Sequence, residues 1–368
     1  MLKKTLLLAT AALFLLSVTL FDPATISRWI EKAIGWETLS EQSTYAENPS
    51  IRTAVSQIDA AGLERHLQAL TSDASRVTGY PGAENAARYL EDEFRLLGIE
   101  VASESFPLSV PIDLGGKLRI VASETTVPIH GLWPNHVRTT SLPPDGLDGH
   151  LVDLGRGQLQ AMDGKRLKGS IALMGFGSGN AYVEARALGA AAVLFYDDGR
   201  VTRSEAAEKF LQVPVDIPRF WLEAADAELL REHANTGESK VHLDARMDWQ
   251  QVEARNLLAV LPGLAEDMPL GQRQKTQQWK DQVIVIQAHY DAISVVPALA
   301  PGAESATGIV ALLEIARLLA EQGTRYTVLF LASSGHFQGL AGVNDFLYRH
   351  SRPLQPGSPC REHPSVPD

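Results

Sequence analysis

The sequence predicts an α/β fold in which a mostly parallel sheet carries helices on both faces and a smaller α/β domain is inserted into the chain. Three observations support this prediction. Residues 283–332 have the order strand, amphipathic helix, strand that is typical of a βαβ unit. Residues 170–196 repeat that order with short apolar strands. An uncharged apolar run at residues 5–21 predicts a hydrophobic anchor ahead of the folded part.

The amino-terminal segment has the pattern of a secretory signal or signal anchor, because Lys3 and Lys4 precede the apolar run. The nearest small-x-small cleavage site, at residues 44–46, lies too far downstream, so an uncleaved anchor at residues 1–22 is favoured over a cleaved signal. Residues 23–50 are expected to be a linker, whose apolar stripe from Ile26 fits an interfacial helix or a short connecting helix equally well. The segment predicts a membrane-anchored chain with its folded part on the extracytoplasmic side.

The first folded block, residues 51–130, is predicted to be the amino-terminal part of the main domain. Its first helix is predicted by apolar residues at helical spacing: Ile58, Leu63, Leu67 and Leu70. A second helix is expected at residues 83–97, with Gly98 as a plausible residue at its carboxyl end. The alternation of residues 99–106 predicts a strand.

The second block, residues 131–248, has the size of one small domain. Buried strands are expected at residues 170–174 and 190–196, and helices at residues 181–188 and 224–233. The Gly175-Phe-Gly-Ser-Gly179 loop resembles a dinucleotide-binding fingerprint but lacks the glycine at its sixth position, so we interpret it as an ordinary loop of this block.

The third block, residues 249–350, carries the predicted βαβ unit. Strands are expected at residues 255–260, 283–288 and 326–332, with an amphipathic helix at residues 309–319. The two strands of the unit are mainly apolar, so we expect both to be buried. The segment at residues 351–368 is rich in proline, has no periodicity and predicts a disordered tail.

Composition restricts the chemistry. The 368 residues have a formal net charge of −11, which argues against a nucleic-acid partner because phosphate recognition needs clustered Lys and Arg. The single cysteine, Cys360, excludes an intramolecular disulfide and a cysteine-ligated metal cluster. A bound metal would therefore need His, Asp and Glu ligands.

His289 and Asp291 are the first candidate site residues, because they follow the predicted strand at residues 283–288 directly. Ligands in open α/β sheets bind at the carboxyl ends of strands. The carboxylate of Asp291 could orient the imidazole of His289 as a metal ligand. The alternative is a surface histidine close to a loop aspartate.

The motifs that follow extend this pair into a family resemblance. They are PGAESATG at residues 301–308 and FLASSGHFQGLAG at residues 330–342, with RVTGYPG at residues 76–82 and ARNLLAVLPG at residues 254–263. As an ordered set they resemble the co-catalytic zinc aminopeptidase superfamily, which includes glutamate carboxypeptidase II and non-enzymatic relatives such as the transferrin receptor. The second block, with GSIALM at residues 169–174, resembles the protease-associated domain that many members insert.

The resemblance implies peptide hydrolysis by a zinc-activated water and assigns roles to three residues. His289 matches a zinc ligand, and Asp291 matches the aspartate that orients it. Glu304 stands where the family has a bridging aspartate and is one methylene longer. Its alternative role is that of a helix-start carboxylate favoured by the helix dipole.

The resemblance fails at the next motif. The family has two consecutive glutamates there, a general base and a zinc ligand, and this chain has His336 and Phe337. Phe337 cannot bind a metal, whereas His336 could accept a proton, ligate zinc from a shifted position, or be a polar remnant. The last two ligands of the family are expected beyond residue 368, because Asp345, His350 and His363 lie too close to the preceding motif.

Two functions follow from this pattern. One is an exported or membrane-anchored zinc metallopeptidase of the aminopeptidase type with a degenerate site, impaired or inactive in this chain. The other is a non-catalytic protein that binds a peptide or protein partner on the same fold. A third interpretation, suggested by the abrupt tail, is that the chain is the truncated or frameshifted product of a longer gene, with an incomplete peptidase-like domain.

Overall fold

The structure is a computed structural model that describes residues 49–135, 138–210, 214–235, 240–263 and 282–350. The predicted anchor, most of the linker, the polar stretch at residues 271–280 and the predicted tail with Cys360 lie outside the described residues. The chain divides into two compact units, residues 1–58 and 59–368. Of the first unit, the structure describes helix α1, Pro49–Ser56, and the two residues after it. Among the helices of the described ranges, none combines the length and apolar character that a membrane crossing requires.

The second unit contains eight described helices and ten described strands. The helices are α2 Ala60–Leu70, α3 Pro81–Leu96, α4 Leu159–Met162, α5 Ala181–Ala187, α6 Arg203–Phe210, α7 Ala224–Asn235, α8 Ala303–Gln322 and α9 Ala341–His350. The strands are β1 Glu100–Ile120, β2 Thr126–Pro128, β3 His130–Gly131, β4 Leu147–Gly155, β5 Ser170–Gly175, β6 Ala192–Tyr196, β7 Arg219–Trp221, β8 Lys240–Leu261, β9 Val283–His289 and β10 Thr327–Ser333.

Two long antiparallel strands, β1 and β8, run through the whole unit. Their pairing extends from Glu100 opposite Val260 to Ile120 opposite Val241, with one shift in register after Asp113. At one end β8 also pairs with β10, and at the other end it pairs with β4. The two strands therefore join two lobes into one mixed sheet.

The first lobe, residues 59–113 and 249–350, contains the predicted βαβ unit. Strands β9 and β10 are parallel, as predicted, and β10 is antiparallel to β8. Helices α2, α3 and α8 pack their apolar residues on one face of these strands, against Leu257 and Ala259. Side chains alternate along a strand, so Asn256 lies on the other face, where its amide donates to the carbonyl of Gly342 in α9. The α/β class with helices on both faces is confirmed.

The second lobe, residues 116–248, is built around the parallel strands β4, β5, β6 and β7 in that order. Strands β5 and β6 are buried along their whole length, and helices α5 and α7 lie at the positions predicted from the sequence. Two apolar clusters fill this lobe. Its assignment as a protease-associated domain, and the predicted limits at residues 131 and 248, remain predictions.

The expected burial of β9 is wrong. Val283 is 55% exposed, Ile284 44% and Val285 47%. Among the described strands β9 pairs with β10 alone, so one of its edges has no neighbour there. The apolar composition of a strand indicates which side chains could be buried. Whether they are buried depends on the helices and strands that pack against it.

Candidate functional site

The candidate site lies at the carboxyl ends of β9 and β10. The parallel register pairs His289 with Ser333, so the segments that follow the two strands leave the sheet side by side. The backbone N–H of Tyr290 donates to the carbonyl of Ser333 at 3.0 Å and extends this pairing by one residue. The sheet thereby brings together two sequence motifs separated by more than 40 positions.

His289 and His336 lie face to face at this edge. Their ring centroids are 3.9 Å apart and the ring planes differ by 15°. Phe337 packs edge-on against both imidazoles, with centroid distances of 5.4 Å to His289 and 4.9 Å to His336. The sequence predicted that His289 and His336 belong to one site, and the structure places them in contact.

Burial, with smaller contributions from the neighbouring His336 and Arg76, lowers the pKa of His289 to about 4. The imidazole of His289 is therefore neutral at neutral pH. Its Nε2 atom is buried and receives no hydrogen bond, as is true of Nδ1 of His336. The pair is thus held by ring stacking and by Phe337.

Asp291 is fully buried beneath this pair. Its Oδ2 accepts hydrogen bonds from the hydroxyl of Thr78 and from the backbone N–H of His336, both at 3.0 Å. Its Oδ1 has no hydrogen-bond partner, so the expected hydrogen bond that would orient His289 is not formed. The carboxyl group instead ties the end of β10 to the segment that precedes α3.

Burial raises the pKa of Asp291 to about 7, although hydrogen bonds from Thr78 and from the backbone of His336 act in the opposite direction. Desolvation penalises the ionised form of a carboxyl group, and two donors to one oxygen offset only part of that penalty. Asp291 is therefore poised to hold or release a proton near neutrality.

Arg76 supports the site from below and was not singled out by the sequence. It is 1% exposed, and its guanidinium donates to the carbonyls of Leu70 at 2.6 Å and Gly302 at 2.8 Å. Its own carbonyl accepts from the N–H of Ala292. Burial lowers its pKa to about 10, so it remains charged at neutral pH. The RVTGYPG motif contained the signal, since Arg76 and Thr78 both belong to it.

Glu304, the predicted bridging ligand, lies away from this cluster. Its side chain is 92% exposed at the start of α8, and its carboxylate is 4.0 Å from the equally exposed Arg203 of α6. An ion pair between exposed groups contributes little. The position fits the alternative role of a carboxylate in the first turn of a helix.

The GLAG motif explains the shape of the loop after His336. A Cβ atom on Gly342 would lie 2.3 Å from the carbonyl oxygen of Ser334, so only glycine fits where α9 starts against the end of β10. Leu340 has a φ of 59°, a conformation that costs a non-glycine residue about 1–3 kcal/mol. The turn holds His336 and Phe337 against His289.

The described residues do not fit a zinc ion. Zinc takes about three protein ligands in a catalytic site, with nitrogen ligands near 2.0–2.1 Å. In the described ranges, no three His, Cys, Asp or Glu side chains come together in a way that could hold a metal. The lone pair of an imidazole nitrogen lies in the plane of its ring, so the stacked rings of His289 and His336 cannot both direct a nitrogen at one ion.

A cavity of about 260 Å³ lies beside the buried network and is lined in part by Thr78, the residue that donates to Asp291. Its polar lining comes from the hydroxyls of Thr78 and Ser334, which are 2.9 Å apart, and from the ion pair of Glu84 with Arg255 at 2.8 Å. The remaining lining residues are Gly79, Tyr80, Pro81, Ala83, Val252, Glu253, Ala254 and Tyr290. The cavity offers both donors and acceptors next to the site.

The comparisons with known proteins agree with the motifs. Residues 270–358 match the family model of Peptidase family M28. No curated protein matches the chain by sequence. A zinc aminopeptidase from Bacillus subtilis superposes with a TM-score of 0.52 and 20% sequence identity, over 80% of this chain and 66% of that chain.

Two further structures match with lower TM-scores. An aminopeptidase from Aneurinibacillus sp. superposes with a TM-score of 0.42 and 21% sequence identity, over 81% of this chain and 68% of that chain. A peptidase M28 precursor from Shewanella amazonensis superposes with a TM-score of 0.47 and 17% sequence identity, over 81% of this chain and 69% of that chain. This chain thus spans about two thirds of the length of these structures. The predicted resemblance to the zinc aminopeptidase superfamily is confirmed: residues 270–358 match the M28 peptidase family, on a fold shared with a zinc aminopeptidase.

Proposed function

We propose that this chain is a non-hydrolytic relative of the zinc aminopeptidases that binds a peptide or protein partner on the peptidase fold. The observation that carries the proposal is the stack of His289 on His336 with Phe337 against its edge. These side chains occupy the place where the family carries a zinc ligand, a general base and a second ligand.

The chemistry of peptide hydrolysis explains why this arrangement is inactive. A metallopeptidase needs a metal-bound water and a base that takes its proton. Phe337 provides neither a ligand nor a base, and Glu304 points into solvent. Since the buried oxygen of Asp291 is enclosed under the loop, it cannot reach a substrate.

Peptide binding is supported by the cavity beside the site. The hydroxyl pair of Thr78 and Ser334 and the charged pair of Glu84 and Arg255 are spaced as donors and acceptors along one cleft. Glu84 is 54% exposed and can accept a hydrogen bond from a free amino group. A peptide presents a free amino group at its amino end and amide N–H donors along its backbone.

The location of the protein belongs to the same proposal. The basic residues and apolar run at residues 1–21 favour an exported chain held at a membrane by its amino-terminal segment, with both lobes on the extracytoplasmic side. Protease protection of membrane vesicles from the source organism tests this orientation. Digestion of both lobes by protease added to the cytoplasmic face would contradict it.

The test of inactivity combines elemental analysis with an activity assay. We expect the purified full chain, supplied with zinc, to retain less than one zinc per chain and to leave aminoacyl anilides uncleaved. Stoichiometric zinc with turnover that disappears in His336→Ala would overturn the proposal. His350→Ala is the matched control, because His350 lies on the surface and pairs with Glu104.

The test of binding uses calorimetric titration with tetra-alanine. We expect a measurable heat of binding that is reduced in Glu84→Gln and retained in Glu64→Gln, an exposed carboxylate on α2. Absence of tetra-alanine binding would contradict the role of the cavity. Binding that is the same in Glu84→Gln and Glu64→Gln would also contradict it.

Hydrolysis is the second candidate function, favoured by the unpartnered Nδ1 of His336. An imidazole suits proton transfer near neutral pH. The same activity assay decides between the two functions, because His336→Ala lowers turnover only if the imidazole takes part in the reaction.

A further inference from the structure

A separate cavity lies in the second lobe, at the carboxyl ends of its parallel strands. It has a volume of about 350 Å³ and is lined by the last residues of β4 and β6, Gly155 and Tyr196, and by the first residue of α7, Ala224. Ligands of open α/β sheets bind outside the carboxyl ends of the strands. The cavity therefore occupies the position in this lobe where a ligand is expected.

Asp198 carries a buried carboxylate in the lining of this cavity. Its side chain is 9% exposed, and its Oδ1 accepts a hydrogen bond from the backbone N–H of Gly177 at 3.0 Å. Its Oδ2 has no hydrogen-bond partner. A Cβ atom on Gly175 would lie 2.9 Å from the Asp198 side chain, so the glycines of this loop let the backbone close over the carboxylate. A buried carboxylate oxygen without a donor is costly unless a ligand supplies one.

Arg156 lies next to Asp198 in the lining of this cavity. Its Nε is 3.7 Å from Oδ2, which is too long for a hydrogen bond, and within the described residues Arg156 makes no other ion pair and no hydrogen bond. The second arginine of the cavity, Arg231, differs, because it already pairs with Asp153 and Glu228 and contacts the hydroxyl of Tyr196. One open guanidinium and one open carboxylate oxygen thus face each other.

We propose that this cavity binds a free α-amino acid, with its ammonium group on Asp198 and its carboxylate on Arg156. A zwitterion supplies a donor to the carboxylate of Asp198 and an acceptor to the guanidinium of Arg156. A simple anion would instead be repelled by the carboxylates of Asp197, Asp198 and Glu228. The start of α7 lies at the wall and favours the carboxylate end of the ligand.

The size of the ligand follows from the neighbouring space. A second cavity of about 410 Å³ shares Gly155 and Arg156 with the first and is lined also by Asp153, Leu154, Gln158, Ala161 and Lys165. The side chain of the amino acid can extend into it past Arg156. This site shares no lining residue with the cavity of the first lobe and does not depend on the function proposed for that lobe.

The test is calorimetric titration of the full chain with L-leucine. We expect saturable binding to L-leucine, and at least about tenfold weaker binding to N-acetyl-L-leucine, which lacks the ammonium group, and to L-leucinamide, which lacks the carboxylate. Equal affinity for L-leucinamide would exclude the carboxylate contact, and equal affinity for the acetylated compound would exclude the contact with Asp198.

Matched variants locate the site. Asp198→Asn and Arg156→Gln are each expected to weaken L-leucine binding at least about tenfold, while Glu184→Gln, an exposed carboxylate of the same lobe, leaves it unchanged. Circular dichroism checks that each variant is folded. If Asp198→Asn is unfolded, Arg156→Gln and the two analogues decide the question. Absence of L-leucine binding up to roughly 10 mM, or binding that both variants leave intact, would overturn the proposal.

Discussion

Replacement of the buried Asp291 by asparagine is expected to stabilise the protein at neutral pH. The carboxyl group ionises near 3.8 in an unfolded chain and near 7 in the folded protein. Between these values the folded state binds more protons than the unfolded state, so ionisation of Asp291 lowers the free energy of unfolding as the pH rises. Stability is retained below the unfolded pKa and is lost as the pH passes through the folded pKa.

The magnitude follows from the size of the shift. Each pKa unit corresponds to about 1.4 kcal/mol, so a rise from 3.8 to about 7 costs the wild type about 4 kcal/mol above pH 7. Asparagine is never charged, and its side-chain oxygen can still accept from Thr78 and from the backbone of His336. We expect Asp291→Asn and the wild type to be similarly stable near pH 4, and the variant to gain steadily up to pH 7.

The assay is urea unfolding followed by tryptophan fluorescence at intervals between pH 4.5 and 8. Only the difference between variant and wild type is interpreted, because the other titrating groups cancel in it. Asp244→Asn is the control, because it makes the same substitution at a carboxylate that is 57% exposed. A flat difference for Asp291→Asn, or a variant less stable than the wild type at pH 8, would refute the reasoning.

Three further predictions concern other features of the first lobe. The imidazole of His289 should titrate near pH 4 by NMR, and His336→Ala should raise that pKa because a neighbouring ring that disfavours protonation is removed. Arg76→Met should lower the free energy of unfolding by about 2–5 kcal/mol in urea, because two buried carbonyls lose their donors. Val285→Lys should delay the onset of light scattering on heating, since it places a charge on an exposed apolar edge strand, with a change in unfolding free energy within about 0.5 kcal/mol.

Each of these predictions has a matched comparison. For His289 the control is His350→Ala, which should leave the pKa of the His289 imidazole unchanged. Arg88→Met provides the exposed arginine, 63% exposed, whose loss should cost little. Val121→Lys places the same charge on an exposed valine outside β9. A control variant that behaves like its partner would show that the effect does not come from the named environment.

Local sequence signals located most helices and strands. Gly98 adopts a positive φ just after the helix that it was expected to end, and the strands around Leu173 and Leu194 lie where apolar runs were found. These features depend on a few neighbouring residues. The sequence therefore contains the information for them in a short window.

Features that depend on distant partners were missed. Pro107 and Pro111 look like strand breakers, yet β1 continues through both because each has a partner on β8. Thr78 and Asp291 are 213 positions apart, so no local pattern could connect them. The exposure of Glu304 is of the same kind, since only the packing of α8 shows where its first turn faces.

The two long strands that join the lobes also impose an order on folding. The pairing of Glu100 with Val260 closes a loop of more than 150 residues, and the entropy cost of such a closure falls when the intervening chain is already compact. The second lobe has short-range parallel strands and its own apolar clusters. It can therefore form first and bring β1 and β8 together, so that the sheet carrying His289 and His336 is completed last. The slow steps of refolding should then be observed in the first lobe, even when a substitution is made in the second lobe.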